Sequence, residues 1–217
     1  MSGFRDESLN KDFEDGIFDT IILHLIKCCG EMRASCMKTG KNLRNDEDKI
    51  TNRLVEKYLN KINSGFRFIP QSPENYDSNE DCYKGITDIR VVTKNWFSDD
   101  TDYYIIECKR IDGKPELNKK YVTLGIARFI AESPKYLSNN KRNIMFGYVV
   151  KTINVPENIT EIEKIQVEHF KNITVSKFQL IKNHNTEYYL YSCKYQSNVF
   201  LIELNHLFYN FSEVMRN

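Results

Sequence analysis

The chain carries almost no net charge: 31 Lys and Arg against 30 Asp and Glu leave +1 over 217 residues. That balance excludes a general polyelectrolyte attraction to nucleic acid, so any such surface must be a local basic patch. No apolar run approaches the roughly 20 residues of a membrane span. The first residues, Met1 to Ser8, are polar and acidic where a signal peptide needs an apolar centre. A cytoplasmic protein without membrane association is expected. Six cysteines (Cys28, Cys29, Cys36, Cys82, Cys108, Cys193) form no CxxC pair and no Cys/His zinc spacing, which points to free thiols in a reducing compartment. The Asn-x-Ser/Thr matches at Asn158, Asn172 and Asn210 are then chance. Repeats and low-complexity segments are lacking. A hydrophobic content of 41%, with 12% aromatics, predicts a folded globular chain, read as one domain over 1–217.

What is present centres on residues 85–110. The β-type run Gly85 to Val92 holds a single acid, Asp88, among aliphatic neighbours. A polar turn from Thr93 to Thr101 follows, then Tyr103 to Arg110, which ends in Glu107-Cys108-Lys109. Alternation along a strand puts Glu107 and Lys109 on one face and the Cys108 side chain on the other. If the two runs are paired neighbours, Asp88 sits beside Glu107. Two such carboxylates repel unless a cation lies between them. A hard divalent ion suits their oxygens and is commonly completed by substrate phosphate. Such an ion acidifies water and stabilises charge on phosphorus oxygens, while Lys109 is placed to orient or deprotonate water, or to neutralise developing charge. The reaction class this fits is phosphodiester hydrolysis.

Asp88, followed about nineteen positions later by Glu107-x-Lys109 at a strand end, resembles the PD-(D/E)xK nuclease superfamily, the restriction-endonuclease-like fold. The wording around Gly85-x-x-Asp88-Ile89-Arg90-Val91 and Ile105 to Arg110 is similar to that family's second and third core strands. The resemblance implies an α/β fold, an α-β-β-β-α-β core over about 44–150 with a mixed central sheet flanked by helices. It also implies Asp88, Glu107 and the Cys108 carbonyl as metal ligands, with Mg²⁺ as cofactor and Mn²⁺ as substitute, and Lys109 as the catalytic cation.

The flanking segments are read in the same frame. Phe18, Ile21, Ile22, Leu25 and Ile26 predict an amphipathic N-terminal helix over 13–38. Ile50, Leu54, Val55, Tyr58 and Leu59 predict a second over 45–62. Near its start, Glu47 is either a dipole partner or a group aimed at the site; the resemblance favours the latter, as a metal-supporting residue. Asp46 can cap this helix. A first strand is expected at Phe66 to Ile69, and a polar loop from Gln71 to Lys84. A helix over 117–132 carries Lys120, Tyr121, Gly125 and Arg128. Gly125 there suggests close approach by backbone or ligand. Tyr121, Arg128 and the later Tyr136 resemble a prokaryotic restriction and phage-defence branch, so Lys120, Tyr121, Arg128 and Arg110 are candidate nucleic-acid contacts. Packing plus a surface Arg is the plainer reading of that helix.

Asn143 to Val150 predicts a strand buried on both faces and parallel to the Glu107 strand. A C-terminal extension over 151–217 is expected to add a helix at 156–170 and strands at 175–181 and 188–195, then a final apolar segment, 199–211. On that segment His206 is more simply a satisfied core residue than a ligand.

The reading that follows is a Mg²⁺-dependent endonuclease, DNA favoured over RNA, serving as effector in a prokaryotic restriction or anti-phage system. It would act as a homodimer or with a partner subunit such as an ATPase, helicase or sensor. A nuclease-fold scaffold inactive without its partner complex, or a repair or junction-resolving nuclease, are the alternatives.

Overall fold

The computed structural model describes residues 7–61, 64–93, 103–137 and 141–216. The predicted turn at 93–101 lies, apart from Thr93, outside them. Helix α1 (Glu7–Thr39) buries Phe18, Ile21, Leu25, Cys28, Met32 and Cys36, a stripe at helical spacing. Helix α2 (Glu47–Leu54) starts where the Asp46 side chain accepts from the Lys49 backbone N–H. It continues through a π-helical turn, Val55–Leu59.

Strands β1 (Phe66–Asp77), β2 (Cys82–Thr93) and β3 (Tyr103–Ile111) are antiparallel neighbours. The expected loop at 71–84 is instead the end of a long hairpin, with Tyr76 opposite Tyr83 and only 78–81 turning. Two residues at positive φ, Gln71 and Asn75, explain why this stretch lacks a strand signature while cross-strand pairing still holds it in register.

After β3, α3 (Pro115–Lys120) passes through a π-helical turn, Tyr121–Ile126, into α4 (Ala127–Ile130). Strand β4 (Arg142–Val149), apolar on both faces, pairs parallel with β3. Helix α5 (Val155–His169) follows. Strands β5 (Thr174–Val175) and β6 (Gln179–His184) both lie against β7 (Tyr188–Gln196), so the single strand expected at 175–181 is two short pieces.

The final apolar segment is strand β8 (Leu201–Asn210), placed inside the sheet between β4 and β7 and parallel to β4. The order is β1-β2-β3-β4-β8-β7-β5, with β6 on β7, an eight-stranded mixed sheet. The C-terminal residues are thus part of the same sheet as the expected core and not an appendage to it. One apolar cluster joins α1 and α2 to Ile89, Ile106, Cys108 and Phe146; another joins the α3–α4 segment and α5 to Ile105, Met145 and Leu204. The alternation of β3 residues between the two clusters sets the face on which Glu107 and Lys109 lie. Among the described residues no helix is long and apolar enough to cross a membrane.

Candidate active site

Strand β3 is apolar and buried through Ile106, and then carries Glu107, fully buried, and Lys109, 7% exposed. Such residues are almost never buried unless paired. Asp88 lies one residue before Ile89, which pairs with Ile106. Its Oδ2 accepts the Cys108 backbone N–H at 2.7 Å, so the acid takes over a β3 donor where strand pairing ends. Glu47 arrives from the first residue of α2. Its Oε1 accepts from Lys109 Nζ at 2.9 Å and its Oε2 from the Arg110 backbone N–H at 3.1 Å.

These contacts gather oxygens around one ammonium. Lys109 Nζ lies 2.9 Å from Glu47 Oε1, 2.8 Å from Glu107 Oε1, 3.6 Å from Asp88 Oδ2 and 2.6 Å from the Cys108 carbonyl oxygen. Burial, reinforced by the nearby Asp88, pushes the Glu107 carboxyl up to about 7, against the lowering by Lys109 and Arg128. Burial alone would lower Lys109, yet Glu107, Asp88 and Glu47 outweigh it and hold the amine above its ordinary range. Lys109 is therefore a fixed cation.

On the far side of Glu107, Tyr136 Oη donates to Oε2 at 2.5 Å, and Arg128 Nε lies 3.2 Å from Oε1. Oε1 nevertheless accepts no aligned hydrogen bond; both cations reach it only as ion-pair partners.

The donor set suits a hard cation, since Glu47, Asp88, Glu107 and the Cys108 carbonyl all offer oxygen. Among the described residues no three His, Cys, Asp or Glu side chains are themselves gathered closely enough to hold a metal. They are gathered on Lys109, whose ammonium has the oxygen shell a cation there would use. Oε1 of Glu107, buried and aimed at that shell, is faced by two cations, and that preference for positive charge is the feature that a divalent ion fits.

The other candidates divide. Arg110 bonds to the Asn45 carbonyl and side-chain oxygens at 2.8 and 2.9 Å. Lys120 is exposed and pairs with Glu116. Tyr121, a candidate nucleic-acid contact, is instead packed as the plainer reading had it: it is fully buried and shares a hydrogen bond with His206 Nδ1 at 2.9 Å. Arg128 turns inward to Glu107 and not out toward a phosphate. His206 is a core residue, as the plainer reading had it. Gly125 does mark a close approach, but by side chains: a Cβ there would meet Met145 Cε at 2.6 Å and Lys109 Cγ at 3.3 Å.

Tyr136 is the site residue that spacing could not supply, because it follows Glu107 by 29 positions and reaches it only through folding. A groove of about 380 Å³ between α5 and β5, lined by Glu163, Gln166, Val167 and Ser176, contains none of these residues. Charge, not concavity, distinguishes the site. No known protein family, characterised protein or solved structure matches the chain.

Proposed function

We propose that the chain is a metal-dependent nuclease that hydrolyses phosphodiester bonds in nucleic acid, DNA before RNA. The observation that carries this reading is the convergence of Glu47, Asp88, Glu107 and the Cys108 carbonyl on Lys109 Nζ. The order α2-β1-β2-β3-α3/α4-β4, with two antiparallel pairings and then a parallel one, supports a restriction-endonuclease-like core. Placement in a restriction or phage-defence system follows from the sequence resemblance.

Asp88, Glu107 and the Cys108 carbonyl would hold Mg²⁺, with Mn²⁺ substituting and Glu47 supporting the outer shell. Such an ion supplies Lewis-acid stabilisation of phosphoryl oxygens and acidifies water. The chain's own residues contribute the rest. The Cys108 N–H fixes the Asp88 carboxylate, and α2 delivers Glu47 from its N-terminus. Lys109, beside the same oxygens, would orient or deprotonate water or offset charge in the transition state. With no divalent ion present, Glu107, Asp88 and Glu47 hold the Lys109 proton; an ion taking those oxygens would remove that hold and free the amine to orient or deprotonate water.

The test is cleavage of plasmid, linear and single-stranded DNA and of RNA, with Mg²⁺ or Mn²⁺, by wild type and Asp88→Asn. Metal-dependent cutting should fall by at least about 100-fold in the variant, since it removes an ionised ligand where groups behind the ligands alone commonly matter about 10–100-fold. Equal activity in both proteins, or metal-independent cutting, would overturn the assignment.

A further inference from the structure

We infer that Arg128 and Tyr136 are positioning residues that turn the Glu107 carboxylate so that one chosen oxygen faces the cation site; this rests on the metal-dependent reading above. A buried carboxylate can rotate and exchange its oxygens unless something distinguishes them. Here the distinction is built in. Tyr136 Oη donates to Oε2 at 2.5 Å and so occupies that oxygen.

A hydroxyl has one proton to give, and the direction of this one is set by its neighbours. The Ile86 carbonyl, 2.9 Å from the same hydroxyl, is a competing acceptor. Arg128 Nη1 donates to that carbonyl at 2.9 Å and to Tyr136 Oη at 2.7 Å. A guanidinium only donates. Arg128 therefore donates to Tyr136, and the carboxylate oxygen, nearer at 2.5 Å and charged, is a stronger acceptor for the Tyr136 proton than the Ile86 carbonyl. Oε1 is left between Lys109 Nζ at 2.8 Å and Arg128 Nε at 3.2 Å, without an aligned hydrogen bond.

The strand holds this arrangement in place. A Cβ at Gly85 would stand 2.9 Å from the Lys135 carbonyl oxygen and 3.1 Å from Tyr136 Cε1, so the 135–136 segment lies against β2 at its present distance because residue 85 is glycine. Arg128 is anchored in turn, its Nε donating to the Leu124 carbonyl at 2.8 Å. The residue that the resemblance presents as a nucleic-acid contact is thus committed to the metal ligand's orientation. Groups that hold a ligand from behind commonly matter about 10–100-fold in metal affinity or activity.

The experiment is calorimetric titration of the full chain with Mn²⁺, for wild type, Tyr136→Phe, Arg128→Lys and Asp88→Asn, with thermal melts and the DNA-cleavage KM and kcat alongside. Tyr136→Phe keeps the ring and removes the proton; Arg128→Lys keeps the charge and removes the planar fork. Both should remain folded, bind Mn²⁺ about 10–100-fold more weakly, and lose kcat with little change in KM for DNA. Gly85→Ala, which displaces Tyr136 without altering charge, should weaken Mn²⁺ in the same direction. Wild-type Mn²⁺ affinity and kcat in folded Tyr136→Phe and Arg128→Lys, whatever their melting temperatures, would overturn the inference while leaving the nuclease reading intact. Mn²⁺ binding that is absent from wild type, or indifferent to Asp88→Asn, would overturn both.

Discussion

Two polar networks lie buried along the helical segment 115–130, and they are built on opposite principles. At one end Arg128 joins Glu107, Lys109, Asp88 and Glu47, a charged cluster in which Glu107 Oε1 faces two cations. At the other, Tyr121 joins His206, Tyr195 and Gln166 in a neutral chain. The neutral chain is closed to solvent: Tyr121, Tyr195, His206 and Gln166 are all fully buried, with Gln166 Nε2 left without an acceptor. Burial pushes His206 down to about 3, so it is uncharged at neutral pH. A neutral chain can specify packing with modest desolvation. A cluster of three acids costs far more, and an apolar replacement of similar shape would commonly be as stable. The expense makes chemical sense under the proposed reading, in which a cation and a phosphate are handled at Glu107 and not at His206.

The strongest way to break this contrast is to remove the central cation. Lys109→Ala leaves Glu47, Asp88 and Glu107 without their shared ammonium, and unfolding in urea without divalent ions should show a loss of about 3–5 kcal/mol. Millimolar Mn²⁺ should restore part of it, because a metal supplies the missing charge. No loss, or a loss insensitive to Mn²⁺, would contradict the account of the charged cluster.

Acid should expose the neutral chain next. The unfolded His206 titrates near 6.5 and the folded one near 3. Below the higher value the unfolded state binds a proton that the folded state refuses. The contribution is complete above about pH 6.5 and declines as pH falls toward 3, by up to about 1.4 kcal/mol per pH unit. Its ring faces the Tyr121 and Tyr195 hydroxyls and the Phe178 ring, none of which supplies a negative charge at these pH values. His206→Gln should flatten the stability profile between pH 6.5 and 4; a slope identical to wild type would assign the acid sensitivity elsewhere.

A smaller effect separates the networks directly. Tyr121→Phe leaves His206 Nδ1 without its partner and should cost about 1–3 kcal/mol. Mn²⁺ affinity should not change, since the lost bond belongs to the neutral chain. A weakened affinity would show that the two networks are one. Smallest of all is Gly125→Ala. Helix propensity favours it by about 1 kcal/mol, while displacing Met145 and the Lys109 stem costs about 1–3 kcal/mol. A net loss near 1 kcal/mol is expected by thermal melt, because the nearest obstacle is the flexible methyl end of Met145.

Much of the fold was legible because the relevant signals are local. Ile, Val and Tyr runs mark β2, β3 and β4, the apolar stripe of α1 has a helical period, and Asp46 stands where a cap is needed. Alternation alone put Glu107 and Lys109 on one face and sent Cys108 into the opposite apolar cluster. The hairpin end at 71–84 was not legible. Pro70, Pro73 and the positive-φ residues Gln71 and Asn75 suppress a strand signature, and only pairing with β2 makes the stretch extended. Tyr121 and Arg128 looked alike on a helical wheel, yet one entered the core and the other reached a carboxylate. A wheel shows which side a residue is on but not what lies opposite.

Sequence by itself determined α1, α2 and strands β2, β3 and β4, the spacing of Asp88, Glu107 and Lys109, and the start of α2 that presents Glu47, because propensity, alternation and capping act over a few residues. Only the tertiary structure decided that β8 would enter the sheet beside β4, that four oxygens would surround Lys109, and that Tyr136 would claim one oxygen of Glu107. Those outcomes depend on which strands pair and which charges lose water together. Such contacts join residues as far apart as Glu47 and Lys109, and no local pattern records them.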